Sequence, residues 1–141
     1  MANTGAVAAL QAALAAENAA IFGYGVAGAH LTGSSQAAAQ RDWTVHNQAR
    51  DELAAMISAR GAAPAAQAYY QLPFRVHDAP SAIRLAAYLE DGVTRAYLGL
   101  VAVSDQRLRR FGAMAMQDAA QRAASWRGST LAFPGLTPLV P

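Results

Sequence analysis

Six side chains able to carry charge or hold a metal occupy positions where a helical bundle keeps apolar groups: Glu17, His46, Arg50, Glu90, Asp118 and Arg122. Bundle helices face their core with residues alternating three and four apart. On that spacing the first helical run gives Leu10, Leu14, Glu17, Ile21, Tyr24, Gly28 and Leu31, and the second gives Trp43, His46, Arg50, Leu53 and Ile57. The third gives Ile83, Ala86, Glu90, Val93, Tyr97 and Leu100, and the fourth gives Leu108, Phe111, Ala115, Asp118, Arg122 and Ser125. Each charged group falls near its helix's midpoint, so the pattern predicts one central polar layer. Buried carboxylates without compensation are costly and protonate instead, so the layer must supply its own counter-charge.

Two kinds of counter-charge are open to it. Carboxylate-bridged metal bundles take one Glu from each of two helices and Glu-x-x-His from each of the other two. Glu17 and Glu90 match the single glutamates, but His46 has Trp43 where the paired carboxylate belongs, and Asp118 is followed three residues on by Gln121. Glu17, His46, Glu90 and Asp118 then form the whole set available to iron or manganese, short of a dinuclear site. Alternatively Arg50 and Arg122 neutralise the acids, since guanidinium forks match carboxylates bidentately and stay charged when buried. This network needs no metal, no cofactor and no catalytic residue, and it is the reading the sequence favours.

Another stretch, "GYGVAG" from Gly23 to Gly28, has the G-x-G-x-x-G spacing of dinucleotide-binding turns. That fingerprint works after a strand and at a helix start. Here it follows the Ala-rich "AALQAALAAENAAIF" and lies inside a helix, with N–H groups already used. Glycine inside a helix costs about 1 kcal/mol against alanine. Close approach by a neighbouring helix, or by Trp43, Tyr97 or Trp126, is the expected reason for Gly23, Gly25 and Gly28.

Four helices must position the layer, at about 4–31, 35–60, 79–103 and 105–127, in a single domain of all-α class. "TGSS" separates the first two, Gly61 ends the second, Asp78 caps the third, Ser104-Asp105 cap the fourth and Gly128 ends it. The connection over 62–78, containing "AAPAAQAYYQLPFRVH", is long for a bundle. It is long enough to traverse a whole helix, which makes the second and third helices parallel, and Tyr69, Tyr70, Leu72, Pro73 and Phe74 anchor it. The tail over 128–141, with three prolines in "LAFPGLTPLVP", is expected to be a non-helical strap packed through Leu131, Phe133 and Leu136.

Composition narrows the function class. Hydrophobic residues make up 54% of the 141 and charged ones 14%, which suits one packed domain. The absence of cysteine removes thiolate chemistry and disulfides and fits a cytoplasmic protein. No basic leader precedes Arg41, and no uninterrupted apolar run of membrane-spanning length is read. The basic balance comes from arginines without lysine; "RLRR" at 107–110 is the densest cluster and reads as a solvated helix end rather than a nucleic-acid surface. His30 and His77 sit near helix ends, and Ser34, Ser35, Ser81 and Ser104 read as caps rather than nucleophiles.

The pieces "LQAALAAENAAIFGYGVAGAHL", "HNQARDEL", "YYQLPFRVHDAPSAIRLAAYLEDGV" and "DAAQRAASWRG…AFPGL" resemble a bacterial ferritin-like family of small Ala- and Arg-rich bundles. The resemblance implies a ferritin-like bundle that forms a homodimer, and carries no activity with it. By analogy with di-iron ferritin-like proteins it places Glu17, His46, Glu90 and Asp118 at ligand positions, while the interrupted Glu-x-x-His motifs depart from iron oxidation and storage. The expectation is a metal-free binding or scaffold module. The alternatives are a divergent iron- or manganese-dependent oxidoreductase, and capture of an acidic partner through Arg107, Arg109 and Arg110.

Overall fold

The computed structural model describes residues 2–66 and 70–128, and among them it contains four helices and no strand: α1 (Ala2–Gly28), α2 (Gly33–Ser58), α3 (Ala79–Val101) and α4 (Gln106–Arg127). Ends differ from expectation by up to three residues. Asp78 caps α3 by accepting from the Ser81 backbone, while Ser81 reaches back to the His77 and Asp78 amides. Asp105 alone caps α4, accepting from Arg107 and Leu108, and Gly61 and Gly128 adopt the left-handed conformation just past α2 and α4. Thr32, the residue before α2, makes no side-chain cap, and Ser34 and Ser35 lie inside the helix rather than capping it.

Cross-helix contacts fix the directions. Tyr97 meets Glu17 and Tyr24 meets Glu90, so α1 and α3 are antiparallel. Glu17 meets His46 and Tyr24 meets Asp42, so α1 and α2 are antiparallel too. α2 and α3 therefore run parallel. α4 opposes both, through Arg122 with Glu90 and Trp126 with Asp42. The long connection must return along the bundle, as the sequence predicts. It leaves α2 held by Gln11, which donates to the Ala63 carbonyl and accepts from the Ala65 amide. Further on, Tyr70 stacks on Phe22 at 5.3 Å, Phe74 meets Tyr88 edge-on at 6.3 Å with Arg84 over its ring, and Leu72 packs on the core. Tyr69 and the C-terminal strap lie outside the described residues.

Close packing joins α1 to α2, α1 to α3 and α3 to α4, whereas the α2 and α4 backbones stay further apart. The buried stripe of α1 is Ala6, Leu10, Ala13, Leu14, Glu17, Ala20, Gly23, Tyr24 and Ala27, continued by Leu31 just past the helix end. α1 is long and apolar enough to cross a membrane by length and composition. Its stripe, however, forms one wall of the bundle core around a buried glutamate.

The glycines divide. A Cβ on Gly23 would meet the end of the Leu89 side chain, whereas Gly25 and Gly28 have nothing within 4 Å and line an open cleft with Trp43. Close approach therefore explains Gly23 alone, and its neighbour is Leu89 rather than Trp43, Tyr97 or Trp126. The approach that no side-chain rotation can relieve is at Gly112 on α4, whose Cβ would stand 2.7 Å from Leu100 Cβ and 3.3 Å from the Tyr97 carbonyl oxygen.

Candidate functional site, a buried imidazole between two glutamates

Halfway along the bundle, His46 lies fully buried on α2 with both ring nitrogens facing carboxylates. Nδ1 stands 2.5 Å from Glu17 Oε2 on α1, and Nε2 stands 2.7 Å from Glu90 Oε1 on α3. Ionised carboxylates only accept hydrogen bonds, so both contacts require an N–H, and an imidazole with two N–H groups is the cation. Burial works against that charge, but the hydrogen bonds to Glu17 and Glu90 outweigh it and push the His46 pKa up to about 9.

Two tyrosines close the arrangement. Tyr97 on α3 donates to Glu17 Oε1 at 2.6 Å, and Tyr24 on α1 donates to Glu90 Oε1 at 2.7 Å. The result is an unbroken chain, Tyr97–Glu17–His46–Glu90–Tyr24. Burial, reinforced by the adjacent carboxylates, holds both phenols well above their ordinary pKa, so they act as fixed donors. The elements impose this geometry. Glu17 and Tyr24 are seven residues apart on α1, as are Glu90 and Tyr97 on α3, which puts each pair on one helix face two turns apart. Because α1 and α3 run antiparallel, each tyrosine reaches the other helix's glutamate.

Arg122 supplies the second positive charge. Its Nε donates to Glu90 Oε1 at 3.0 Å. Arg122 is rooted beyond the midpoint of α4, but helical side chains lean toward their own N-terminus, which brings it back to the layer. Burial tends to raise the Glu90 pKa, yet the hydrogen bond from His46 and the charges of His46 and Arg122 hold it below the usual carboxylate value. Two carboxylates face an imidazolium and a guanidinium, and the layer is neutral. At its edge Asp42 accepts from Trp126 Nε1 at 2.8 Å and lies 3.2 Å from the Tyr24 hydroxyl, whose one proton goes to Glu90. Among the described residues one buried atom is left over: Glu90 Oε2 has no partner, although three donors crowd Oε1.

Of the six residues predicted for the layer, Glu17, His46, Glu90 and Arg122 meet, and Arg50 and Asp118 do not. Arg50 is half-buried on the flank of α2 and pairs with its neighbour Asp51 at 2.9 Å. Asp118 is exposed on α4. The α4 side chains that are buried are Leu108, Gly112, Ala119 and Ala123, one position round from the predicted stripe. The predicted stripe followed the bulky residues, but close contact with α3 selects the small ones. Tyr24 and Tyr97 were placed on the inward stripes without a role; the Glu-x6-Tyr spacing repeated on α1 and α3 is the signal that marks them. Asp42 and Trp126 gave no signal, because their pairing depends on how α2 and α4 cross.

A metal at these residues would need lone pairs that the protein's own donors use. Both His46 ring nitrogens are engaged by carboxylates, Glu17 accepts on both oxygens, and Asp118 is exposed on α4 with no bond to the other three. Among the described residues no group of three or more His, Cys, Asp or Glu is disposed to hold an ion. The donor set does not fit the four-ligand site.

Residues 9–138 match the model of a domain of unknown function, DUF4439. The chain belongs to the DUF4439 family. It is also similar to a solved structure, that of a conserved hypothetical protein, rv2844, from Mycobacterium tuberculosis, at 35% identity and a TM-score of 0.83, covering 89% of this chain and 96% of that one. No curated protein matches the chain. The likeness to that structure shows a shared fold, and the chemistry must be argued from the layer itself.

Proposed function

We propose that this DUF4439 chain is a ferritin-like bundle whose metal positions have been taken over by a proton and a guanidinium, leaving a metal-free binding or scaffold module. The observation that carries this reading is His46 engaged at both ring nitrogens by Glu17 and Glu90. The parallel α2 and α3, the long return connection and mid-helix glutamates on α1 and α3 support the ferritin-like part. In a metal-binding bundle cations neutralise the inward carboxylates. Here the His46 imidazolium and Arg122 do so, and the layer needs no exchange with solvent to stay neutral. Elemental analysis of protein purified without chelator tests the proposal. Less than a tenth of an equivalent of iron, manganese or zinc is expected, and stoichiometric metal lost in His46→Ala would overturn it.

A second reading, a metal-dependent oxidoreductase, has one observation in its favour, the partnerless buried Glu90 Oε2. It requires His46 to lose a proton and turn. A rise in melting temperature with Fe(II) or Mn(II), absent in Glu90→Gln, would support it, since ligands of the native state stabilise by mass action.

The same proposal includes a cytoplasmic homodimer. The absence of cysteine supports the compartment, and the open Gly25, Gly28 and Trp43 cleft offers a face a second copy could cover. Light scattering on the native protein and on Gly25→Glu tests the dimer, which the variant should split. Capture of an acidic partner through Arg107, Arg109 and Arg110 is weakened, because Arg109 is committed to the Val103 and Ser104 carbonyls.

A further inference from the structure

The separation of α2 from α4 leaves clefts on either side of Arg122. One, of about 310 Å³, lies between the N-terminal half of α2 and the C-terminal end of α4. Its polar lining is Ser34, Ser35, Arg41, Arg122, Ser125 and the Trp126 edge. Asp42 also borders it, accepting from Trp126 Nε1, and sets one negative charge against the two guanidiniums.

Arg122 is the decisive group. Its Nε is pinned to Glu90, and among the described residues its four terminal N–H groups make no hydrogen bond. They are not buried orphans either, since Glu90 Oε2 alone has that status among the described residues. The free edge of the guanidinium therefore meets the clefts it lines, positioned by a bond it already makes. Arg41, exposed on α2, lines the same cleft and brings a second guanidinium to it. The opening turn of α2 adds to this, having neither a capping side chain nor an acidic residue. Two guanidinium groups and three hydroxyls present more donors than the two oxygens of a carboxylate can use. A tetrahedral group with three terminal oxygens matches them better. The opposite cleft, bordered by Glu17, Glu52 and Asp118, repels the same ligand and gives the groove a direction.

We propose that this cleft binds a small soluble phosphate monoester, its phosphate held between Arg122 and Arg41 and its organic part against Ile83 and Trp126. This gives the binding-module reading a ligand class and rests on that reading for its purpose, though its geometry stands without it.

Phenyl phosphate titrated into the isotope-labelled full chain tests the assignment by NMR. Saturable shifts are expected at the Ser34, Ser35 and Ser125 amides and at the Trp126 indole. Arg41→Ala, a change at an exposed residue outside the buried layer, should weaken binding about tenfold, the worth of one charge-assisted contact. Vesicles of phosphatidylcholine with phosphatidic acid form the second arm, and binding to them with none to phenyl phosphate would overturn the proposal in favour of a lipid surface. So would shifts confined to Arg107–Arg110, or an affinity unchanged by Arg41→Ala. None of these outcomes bears on whether the layer holds metal, which elemental analysis decides separately.

Discussion

Among the described residues Tyr97 is the sole donor to Glu17 Oε1, at 2.6 Å, whereas Tyr24 shares Glu90 Oε1 with His46 and Arg122. The two hydroxyls look equivalent along the chain, but their loss would not cost the same. Tyr97→Phe leaves a buried carboxylate oxygen without a partner, an expense of about 1–3 kcal/mol. Tyr24→Phe leaves two donors on its acceptor and should cost about 1 kcal/mol. Urea unfolding of both variants checks the order, and equal losses would mean the chain is not arranged as described.

Stability should depend on pH through His46. Its pKa is about 9 in the folded bundle and about 6.5 in the unfolded chain, so the folded state binds the proton more tightly. The stabilisation is complete below about pH 6.5 and is lost as pH rises through 9, for a total of about 3 kcal/mol. Glu90 acts at the other end. Its folded pKa is lowered, so its contribution is present above the ordinary carboxylate value and falls away as pH drops through the folded one. Denaturation midpoints across the alkaline range should fall for the native protein and stay nearly level for His46→Gln.

Removing the imidazole altogether should be far more harmful than removing a hydroxyl. His46→Ala would leave Glu17 and Glu90 buried with only Arg122 between them and solvent, and breaking a buried charge pair costs about 3–5 kcal/mol. Asp118→Asn, by contrast, changes an exposed side chain and should stay within about 0.5 kcal/mol. Thermal denaturation of the pair distinguishes this layer from one that includes Asp118.

The glycines give opposite expectations. At Gly112 a new methyl would meet Leu100 Cβ and the Tyr97 carbonyl, atoms no rotamer change can move, so Gly112→Ala should destabilise by about 1–3 kcal/mol despite better helix propensity. Gly25 faces open space, and Gly25→Ala should stabilise by up to about 1 kcal/mol. Circular dichroism melts of the two variants should move in opposite directions.

Much of the fold was legible because local signals agreed. The alternation of Leu10, Leu14, Glu17 and Tyr24 marks α1, Asp78 marks the start of α3, and the length of the connection after Gly61 forces α2 and α3 to be parallel. The layer was half legible. Glu17 and Glu90 stand among apolar stripe neighbours and His46 shares its stripe with Leu53 and Ile57, so their inward direction could be read, although Trp43 on that same stripe is exposed. α4 misled because its contact face is made of Gly112, Ala119 and Ala123, small residues that carry little hydrophobic signal yet allow the closest packing. A slip of one residue turns a helix by about 100°, enough to bring Asp118 inward on paper and leave it in solvent in the structure. Arg50 misled differently, since α2 buries only Ala39, His46, Leu53 and Ile57, a narrower strip than the pattern suggests.

The most direct test is nitrogen-15 NMR of the His46 ring at pH 7 in the intact protein. The account predicts two protonated ring nitrogens with imidazolium shifts and slowly exchanging protons, one coupled toward Glu17 and the other toward Glu90. A neutral ring with one bare nitrogen, or one nitrogen shifted by a bound metal, would contradict it.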